Sequence, residues 1–133
     1  DWVSSMCNGR NGRIWLGTSG GEILLLHPAS GELTLIGQYP TWIESICEDK
    51  SGLVWIGTRE IGLLCYDPSK ESFSQFTSDS RDPSSLTGNS VHRIYEDKTG
   101  TLWIVASSGL NRYDRATRTF TRLTEKDGFP GDV

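Results

Sequence analysis

Two pairs of adjacent carboxylates are the residues with the most obvious chemical capacity. Glu48-Asp49 and Glu96-Asp97 occur in matching contexts, and paired carboxylates can serve acid–base catalysis or bind a metal ion. Neighbouring residues of a strand point to opposite faces, however, so the two carboxylates of each pair diverge. The alternating Asp spacing of a calcium loop is also missing. The sequence therefore predicts that Asp forms a turn and that Glu is solvated at the strand end, with no metal site and no cofactor.

The histidines and cysteines do not form a recognisable catalytic or metal-binding motif. His27 and His92 lie at unrelated positions, and no Ser or Cys is placed near either by sequence, so no nucleophile–His system is predicted. No two cysteines have the Cys-x-x-Cys spacing of a zinc or redox site. We expect Cys7, Cys47 and Cys65 to be buried thiols, and the sequence leaves their redox state open.

Composition excludes two classes of partner. The chain has 133 residues and a net charge of −4, whereas binding to nucleic acid phosphates needs a basic stripe. No apolar run approaches the roughly 20 residues that a membrane span requires. We therefore expect a globular domain that contacts neither nucleic acid nor the membrane interior.

A repeated unit of turn and strand positions these residues. It is clearest at 48–58, recurs at 96–104, and has a divergent copy at 8–18. In each copy Asp or Asn and a following Gly form a turn, and an apolar run centred on Trp15, Trp55 or Trp103 follows. A Trp at one site of every repeat indicates packing between repeats, so these three residues are the predicted core, with sugar stacking as the alternative.

Four strand-like segments recur in the same order in each repeat, joined by short turns that suit antiparallel neighbours. Three such four-stranded units of about 40 residues are typical of the blades of a β-propeller. The sequence therefore predicts an all-β partial propeller over 1–133, with blades at 1–39, 41–77 and 89–124. Residues 125–133 are expected to form a linker into a next blade that the chain lacks.

One face of the predicted propeller groups residues that could bind a ligand. The strand order places Trp42, Arg59, Glu60 and Arg81 in connections on the same side of the blades. A tryptophan with charged neighbours suits carbohydrate, which stacks on the ring and hydrogen-bonds through its hydroxyls. The alternative is that Trp42 caps the end of the core.

The repeated pattern ED.(S/T)G.(L/V)WIGT..GL..YD resembles the propeller repeats in the sensor regions of bacterial hybrid two-component systems. Residues 48–76 match it almost throughout, and 96–123 match with Val105-Ala106 in place of Gly-Thr. The first repeat departs more, with Asn8-Gly9 in place of Glu-Asp. The resemblance implies a non-catalytic, periplasmic sensor segment that responds to oligosaccharides, followed in the parent protein by an immunoglobulin-like domain, a membrane span and kinase modules.

A propeller-scaffold enzyme is the alternative function. Residues 12–15 and 27–31 loosely resemble the repeats of streptogramin lyases, but such an enzyme should place a His and a Glu together on the binding face. Neither His27 nor His92 lies in a loop of that face.

Three blades form an open wedge, so the outer faces of blades one and three need a cover. In the parent protein the remaining blades would provide it. For the isolated chain we expect a homodimer that closes a six-bladed ring, or else a dimer through swapped or added edge strands.

Overall fold

Twelve strands alternate with short turns over residues 1–123, the part of the chain that this computed structural model describes. Blade 1 contains β1 (Val3–Asn8), β2 (Ile14–Thr18), β3 (Glu22–His27) and β4 (Glu32–Gln38). Blade 2 contains β5 (Ile43–Glu48), β6 (Val54–Thr58), β7 (Leu63–Asp67) and β8 (Ser72–Phe76). Blade 3 contains β9 (Val91–Glu96), β10 (Leu102–Ala106), β11 (Gly109–Asp114) and β12 (Thr119–Leu123).

Each blade is a four-stranded antiparallel sheet in which sequence neighbours pair, so the predicted all-β architecture of three meanders is confirmed. The strands occupy 3–38, 43–76 and 91–123. The predicted linker at 125–133 and the last residue of the predicted third blade lie outside the described residues. A 3-10 turn at Arg10–Gly12, between β1 and β2, is the helical element of this region.

The turns follow from the residues that start them. Oδ1 of Asp49 accepts hydrogen bonds from the backbone amides of Ser51 and Leu53, at 2.9 and 3.1 Å, while Gly52 takes a φ of 94°. A side-chain oxygen that bonds the amide two residues ahead imitates a backbone turn, and Gly accepts the positive φ without steric cost. Each Trp strand therefore starts at a fixed point after its turn.

The hydrophobic core lies between the blades. Trp15 of blade 1 packs on the facing sheet of blade 2, against Ile43 and Tyr66, and is 1% exposed. Trp55 of blade 2 packs in the same way on blade 3, with its ring 4.9 Å from that of Tyr113. Each indole is thus buried by the blade that follows it.

Glycines allow the blades to approach closely at their first strands. A Cβ placed on Gly57 would lie 2.8 Å from a methyl carbon of Val91, the first residue of the next blade. A Cβ on Gly17 would overlap the side chain of Ile43, the matching residue of blade 2. The Gly of the Trp-x-Gly sequence is therefore needed for contact with the following blade.

Trp103 differs from the other two predicted core residues. Its side chain lies on the face of β10 that points away from blade 2, no further blade covers that face within the described residues, and Trp103 is only partly buried. Neighbouring Tyr95 on the same face is 64% exposed. The expectation that all three tryptophans are buried therefore holds for Trp15 and Trp55 but not for Trp103.

Candidate functional site

Two tryptophans meet at the start of the first strands of blades 1 and 2. The rings of Trp2 and Trp42 make an edge-to-face contact at 5.2 Å, and Trp2 is 63% exposed. The guanidinium carbon of Arg59 lies 4.1 Å from the centre of the Trp42 ring, and Arg59 Nε donates to Oε1 of Glu44 at 2.7 Å. We call Trp2, Trp42, Glu44 and Arg59 the aromatic patch.

Within the patch, the backbone also holds the two blade 2 residues together. The amide of Arg59, just after β6, donates to the carbonyl oxygen of Trp42, just before β5, at 3.0 Å. Arginine over an indole face is attracted by the negative charge of the ring, and the carboxylate of Glu44 fixes its orientation. The patch therefore offers an exposed aromatic surface beside a paired cation and anion.

The other two predicted ligand-binding residues are placed differently. Glu60 is exposed in the turn between β6 and β7, directly after Arg59. Arg81 lies 3.5 Å from Asp79 in a loop that is bonded to the fourth strand of blade 3, where the Phe120 amide donates to the Ser84 carbonyl at 2.8 Å. Arg81 thus pairs within its own loop and makes no hydrogen bond or ion pair with the aromatic patch.

The Glu of each Glu-Asp pair binds the preceding blade rather than water. Glu48 of blade 2 accepts from Trp15 Nε1 and from the Arg10 amide of blade 1, both at 2.9 Å. Glu96 of blade 3 accepts from the amide of Lys50, the matching residue of blade 2, at 3.1 Å. The predicted solvation of Glu at the strand end is therefore wrong, because the next blade brings the carboxylate against a turn amide.

The Asp of each pair accepts a hydrogen bond from the indole of its own blade. Asp49 Oδ2 accepts from Trp55 Nε1 at 2.8 Å, and Asp97 Oδ2 accepts from Trp103 Nε1 at 2.9 Å. Blade 1 has Gly9 at this position, which explains why Trp15 uses Glu48 from the next blade instead. The two carboxylates of a pair do diverge, as predicted, so they cannot act together on one substrate.

An ion pair between the buried Asp49 carboxylate and the partly exposed Arg115 joins blades 2 and 3. Arg115 Nη1 donates to its Oδ2 at 2.9 Å, and the Asp49 side chain is fully buried. Burial alone would raise the pKa of Asp49, but hydrogen bonds from Ser51, Trp55 and Arg115 outweigh it and hold the pKa below its usual value. This carboxylate is therefore ionised at neutral pH and is suited to structure rather than to proton transfer.

The three cysteines are free thiols with little nucleophilic character. Burial raises the pKa of Cys7 to about 11 and the pKa values of Cys47 and Cys65 to about 12. A thiol reacts as its thiolate, so these groups are unreactive at neutral pH. Cys65 is buried, whereas Cys7 and Cys47 are half-buried.

Neither histidine is a member of the aromatic patch. His27 ends β3 and faces Glu32 across the β3–β4 turn, with 3.9 Å between Nε2 and Oε1. His92 is exposed on β9. Among the described residues the aromatic patch therefore contains Glu44 but no histidine, and it lacks the His–Glu pair that the lyase alternative requires.

Residues 1–123 lack two further kinds of functional feature, a metal-binding cluster and a membrane-spanning helix. They contain no cluster of three His, Cys, Asp or Glu side chains that could hold a metal ion. They also contain no helix long and apolar enough to span a bilayer.

Comparison with known families assigns the chain. The sequence profile of the two component regulator propeller matches residues 1–20, 37–60 and 85–108, which together make up about half of the chain. The chain belongs to this family. Each matched stretch of the propeller repeat includes the first strand of a blade, the turn after it and the Trp strand. No match was found among curated protein sequences.

Solved structures share the propeller fold. The extracellular domain of a hybrid two component system from B. thetaiotaomicron aligns with 98% of this chain at 23% identity and a TM-score of 0.82. That of a one component system from the same organism aligns with 92% at 23% identity and a TM-score of 0.77. The chain spans only 20% and 16% of these two proteins.

A propeller enzyme is also similar in fold. Virginiamycin B lyase from Staphylococcus aureus aligns with 90% of this chain and 40% of its own, at 14% identity and a TM-score of 0.72. At such low identity the likeness concerns the fold alone.

Two of the four residues of the aromatic patch, Trp42 and Arg59, were predicted from the sequence, and Trp2 and Glu44 were not. Trp2 and Trp42 hold the same position in their repeats, and this regularity was the signal available for pairing them. Glu44 gave no signal, because its contact with Arg59 depends on the register of β5 and β6.

Proposed function

We propose that this chain is a segment of the periplasmic sensor region of a two-component regulator, and that it binds ligand without catalysing a reaction. Membership of the regulator propeller family supports the sensor role. The extracytoplasmic location is supported by the likeness to extracellular domains of such systems. The raised thiol pKa values and the divergent carboxylates favour binding over chemistry.

The ligand that suits the aromatic patch is an oligosaccharide. The observation that carries this proposal is the Trp2–Trp42 contact, which presents two indoles from different blades at the surface. Sugar rings stack their C–H faces on indole, and Arg59 and Glu44 offer a donor and an acceptor to hydroxyl groups. Because each blade supplies one tryptophan, the geometry of the patch depends on the junction between blades 1 and 2. Glu60 borders the patch, and Arg81 would contact only a longer ligand.

The test is a titration of the chain with a panel of neutral oligosaccharides, followed by indole fluorescence and calorimetry. We expect saturable binding that Trp42→Ala or Arg59→Ala weakens at least tenfold, with Arg81→Ala as the control that retains affinity for the shortest oligosaccharides of the panel. In the full-length sensor, the Trp42 and Arg59 double variant should fold and reach the membrane but fail to signal. Normal signalling from that variant would contradict the proposal.

We also propose that the uncovered faces are contact surfaces for further blades in the parent protein. In the isolated chain they would pair with each other. Blade 1 exposes Met6, Leu33 and Leu35, each more than half exposed, and blade 3 exposes Tyr95. Apolar patches of this kind rarely stay uncovered on a soluble monomer. A homodimer with blade 3 of one copy on blade 1 of the other would cover both and complete six blades.

A further inference from the structure

A cleft lies between blades 2 and 3, away from the aromatic patch and complete within the described residues. It has a volume of about 380 Å³, which is within the range of small-molecule sites. Blade 2 supplies one wall through β6 to β8 and blade 3 supplies the other through the β11–β12 turn. The polar and aromatic side chains that line the cleft include Lys70, Ser72, Ser74, Phe76, Arg115 and Arg118.

The repeat pattern does not require the cations of this cleft. Arg115 and Arg118 stand where blade 2 has Pro68 and Glu71 and blade 1 has Pro28 and Gly31. Proline at the first of these positions suits a turn, and glycine suits the second, where φ is 75° in blade 1 and 58° at Arg118. Blade 3 therefore keeps arginine at a backbone position that favours glycine.

The two arginines have different surroundings. Arg115 forms ion pairs from Nη1 to Asp49 Oδ2 at 2.9 Å and from Nη2 to Glu96 Oε2 at 3.5 Å. Its pair with Asp49 links the two walls of the cleft. The guanidinium of Arg118 lies 5.5 Å from the Phe76 ring. Neither Arg118 nor Lys70 has an ion-pair partner among residues 1–123, and both line the cleft.

Other groups in the cleft complement a polar ligand. Ser72 and Ser74 provide hydroxyls on the blade 2 wall, and the partly buried ring of Phe76 provides aromatic surface, whereas Tyr113 is buried in the core. Asp67 also lines the cleft, but its Oδ1 already accepts from the amide and hydroxyl of Ser69 at 3.0 and 2.7 Å. Cys65 is present as a neutral thiol, so the cleft is suited to reversible binding.

We propose that this cleft binds a sugar acid, a hydroxylated ring of monosaccharide or disaccharide size that carries a carboxylate. Arg118 and Lys70 bind the carboxylate, since charge-assisted hydrogen bonds are the strong ones. Ser72 and Ser74 exchange hydrogen bonds with ring hydroxyls, and the partly buried Phe76 contacts the apolar face of the ring. This site is independent of the aromatic patch and adds a second, anion-selective site to the proposed sensor segment.

The experiment is a titration of the full chain, followed by ¹H–¹⁵N correlation spectra, with sodium glucuronate, glucose and sodium sulfate at matched ionic strength. Glucuronate should shift the amide signals of residues 70–76 and 113–118 with a dissociation constant in the millimolar range or below. Glucose and sulfate should cause much smaller shifts there. Equal shifts from glucose, equal shifts from sulfate, or no shifts with glucuronate would each overturn the proposal.

A matched pair of variants tests the key residue. Arg118→Gly removes the cation while the new residue suits the positive φ, so the fold should be retained and glucuronate binding should weaken about tenfold. Glu71→Gly also places glycine at the positive-φ position, in the blade 2 turn, but removes no cation, so it should not weaken binding. Unchanged binding in Arg118→Gly would overturn the proposal. Trp42→Ala should not alter glucuronate binding, so failure of the aromatic patch and failure of the cleft can be told apart.

Discussion

The junction between blades 2 and 3 and the uncovered face of blade 3 use the same repeat positions with different residues. At the junction, Cys47, Gly57 and Cys65 surround Trp55 with small side chains, and blade 3 packs closely on them. On the uncovered face, the matching positions around Trp103 hold Tyr95, Val105 and Arg112. These three side chains are larger than Cys47, Gly57 and Cys65. A neighbouring blade therefore cannot approach blade 3 as closely as blade 3 approaches blade 2.

The outer face of blade 1 differs from the internal junctions in a complementary way. Blades 2 and 3 each begin with a first strand that ends in Glu and binds the preceding turn, whereas blade 1 has Asn8 there. A contact of blade 1 on blade 3 would therefore lack two features of an internal junction. Blade 1 has Asn8 in place of the carboxylate, and blade 3 has Val105 in place of the glycine. Blade-to-blade affinity is therefore set by the residues at a few positions, and single substitutions can convert an outer face toward the residues of an internal junction.

The largest expected effect separates the covered indole from the uncovered one. Trp55→Ala should lower the free energy of unfolding by roughly 3–5 kcal/mol, since it removes a fully buried aromatic group. Trp103→Ala should cost only roughly 1–2 kcal/mol, because less of its surface is buried. Urea unfolding followed by circular dichroism measures both. Equal costs would mean that Trp103 is covered in solution.

Asp49→Ala should have the next largest effect on the free energy of unfolding, a loss of roughly 2–4 kcal/mol. The substitution leaves Trp55 Nε1 and Arg115 without their shared acceptor between blades 2 and 3. Asp97→Ala is the matched control at the uncovered blade, where water can replace the carboxylate, and its effect should be clearly smaller. A larger loss from Asp97→Ala would contradict the account.

Much of this pattern could be predicted from the sequence. The Asp–Gly turns, the alternation of apolar residues and the spacing of the tryptophans define the strands, because these are local properties of each repeat. The partners of Glu48 and Arg115 could not be predicted, since both contact another blade and depend on how the sheets pack. The partial exposure of Trp103 could not be predicted either, because the burial of its side chain depends on a neighbouring blade and not on its own strand.

Acid should destabilise the fold through the same aspartates. The pKa values of Asp49 and Asp97 are lowered in the folded chain, that of Asp97 to about 2 through hydrogen bonds from Thr99 and Trp103. A depressed pKa adds stability above the unfolded value of 3.8, and that stability is lost as the pH falls toward 2. Melting temperatures should fall across this range, and less steeply in Asp49→Asn. If the melting temperature of Asp49→Asn falls with pH as steeply as that of the unmodified chain, Asp49 does not contribute to the acid sensitivity.

The smallest effect expected is a change in the affinity between two copies. Asn8→Glu supplies the carboxylate that Glu48 and Glu96 provide at the internal junctions, so it should tighten the homodimer about tenfold. Asn8→Gln has the same length without the charge and should tighten it less. Sedimentation velocity over a concentration series measures the difference, and weaker association of Asn8→Glu would contradict the predicted face.

The central claim is that the outer faces of blades 1 and 3 are blade-to-blade contact surfaces, and the mass of the isolated chain in solution tests it most directly. Light scattering after size exclusion at micromolar concentration should give twice the monomer mass, from a homodimer that covers Met6, Leu33, Leu35 and Tyr95. Val105→Gly restores the glycine of the internal junctions and should shift the profile further toward the dimer. A stable monomer under these conditions, in both the unmodified chain and Val105→Gly, would contradict the claim.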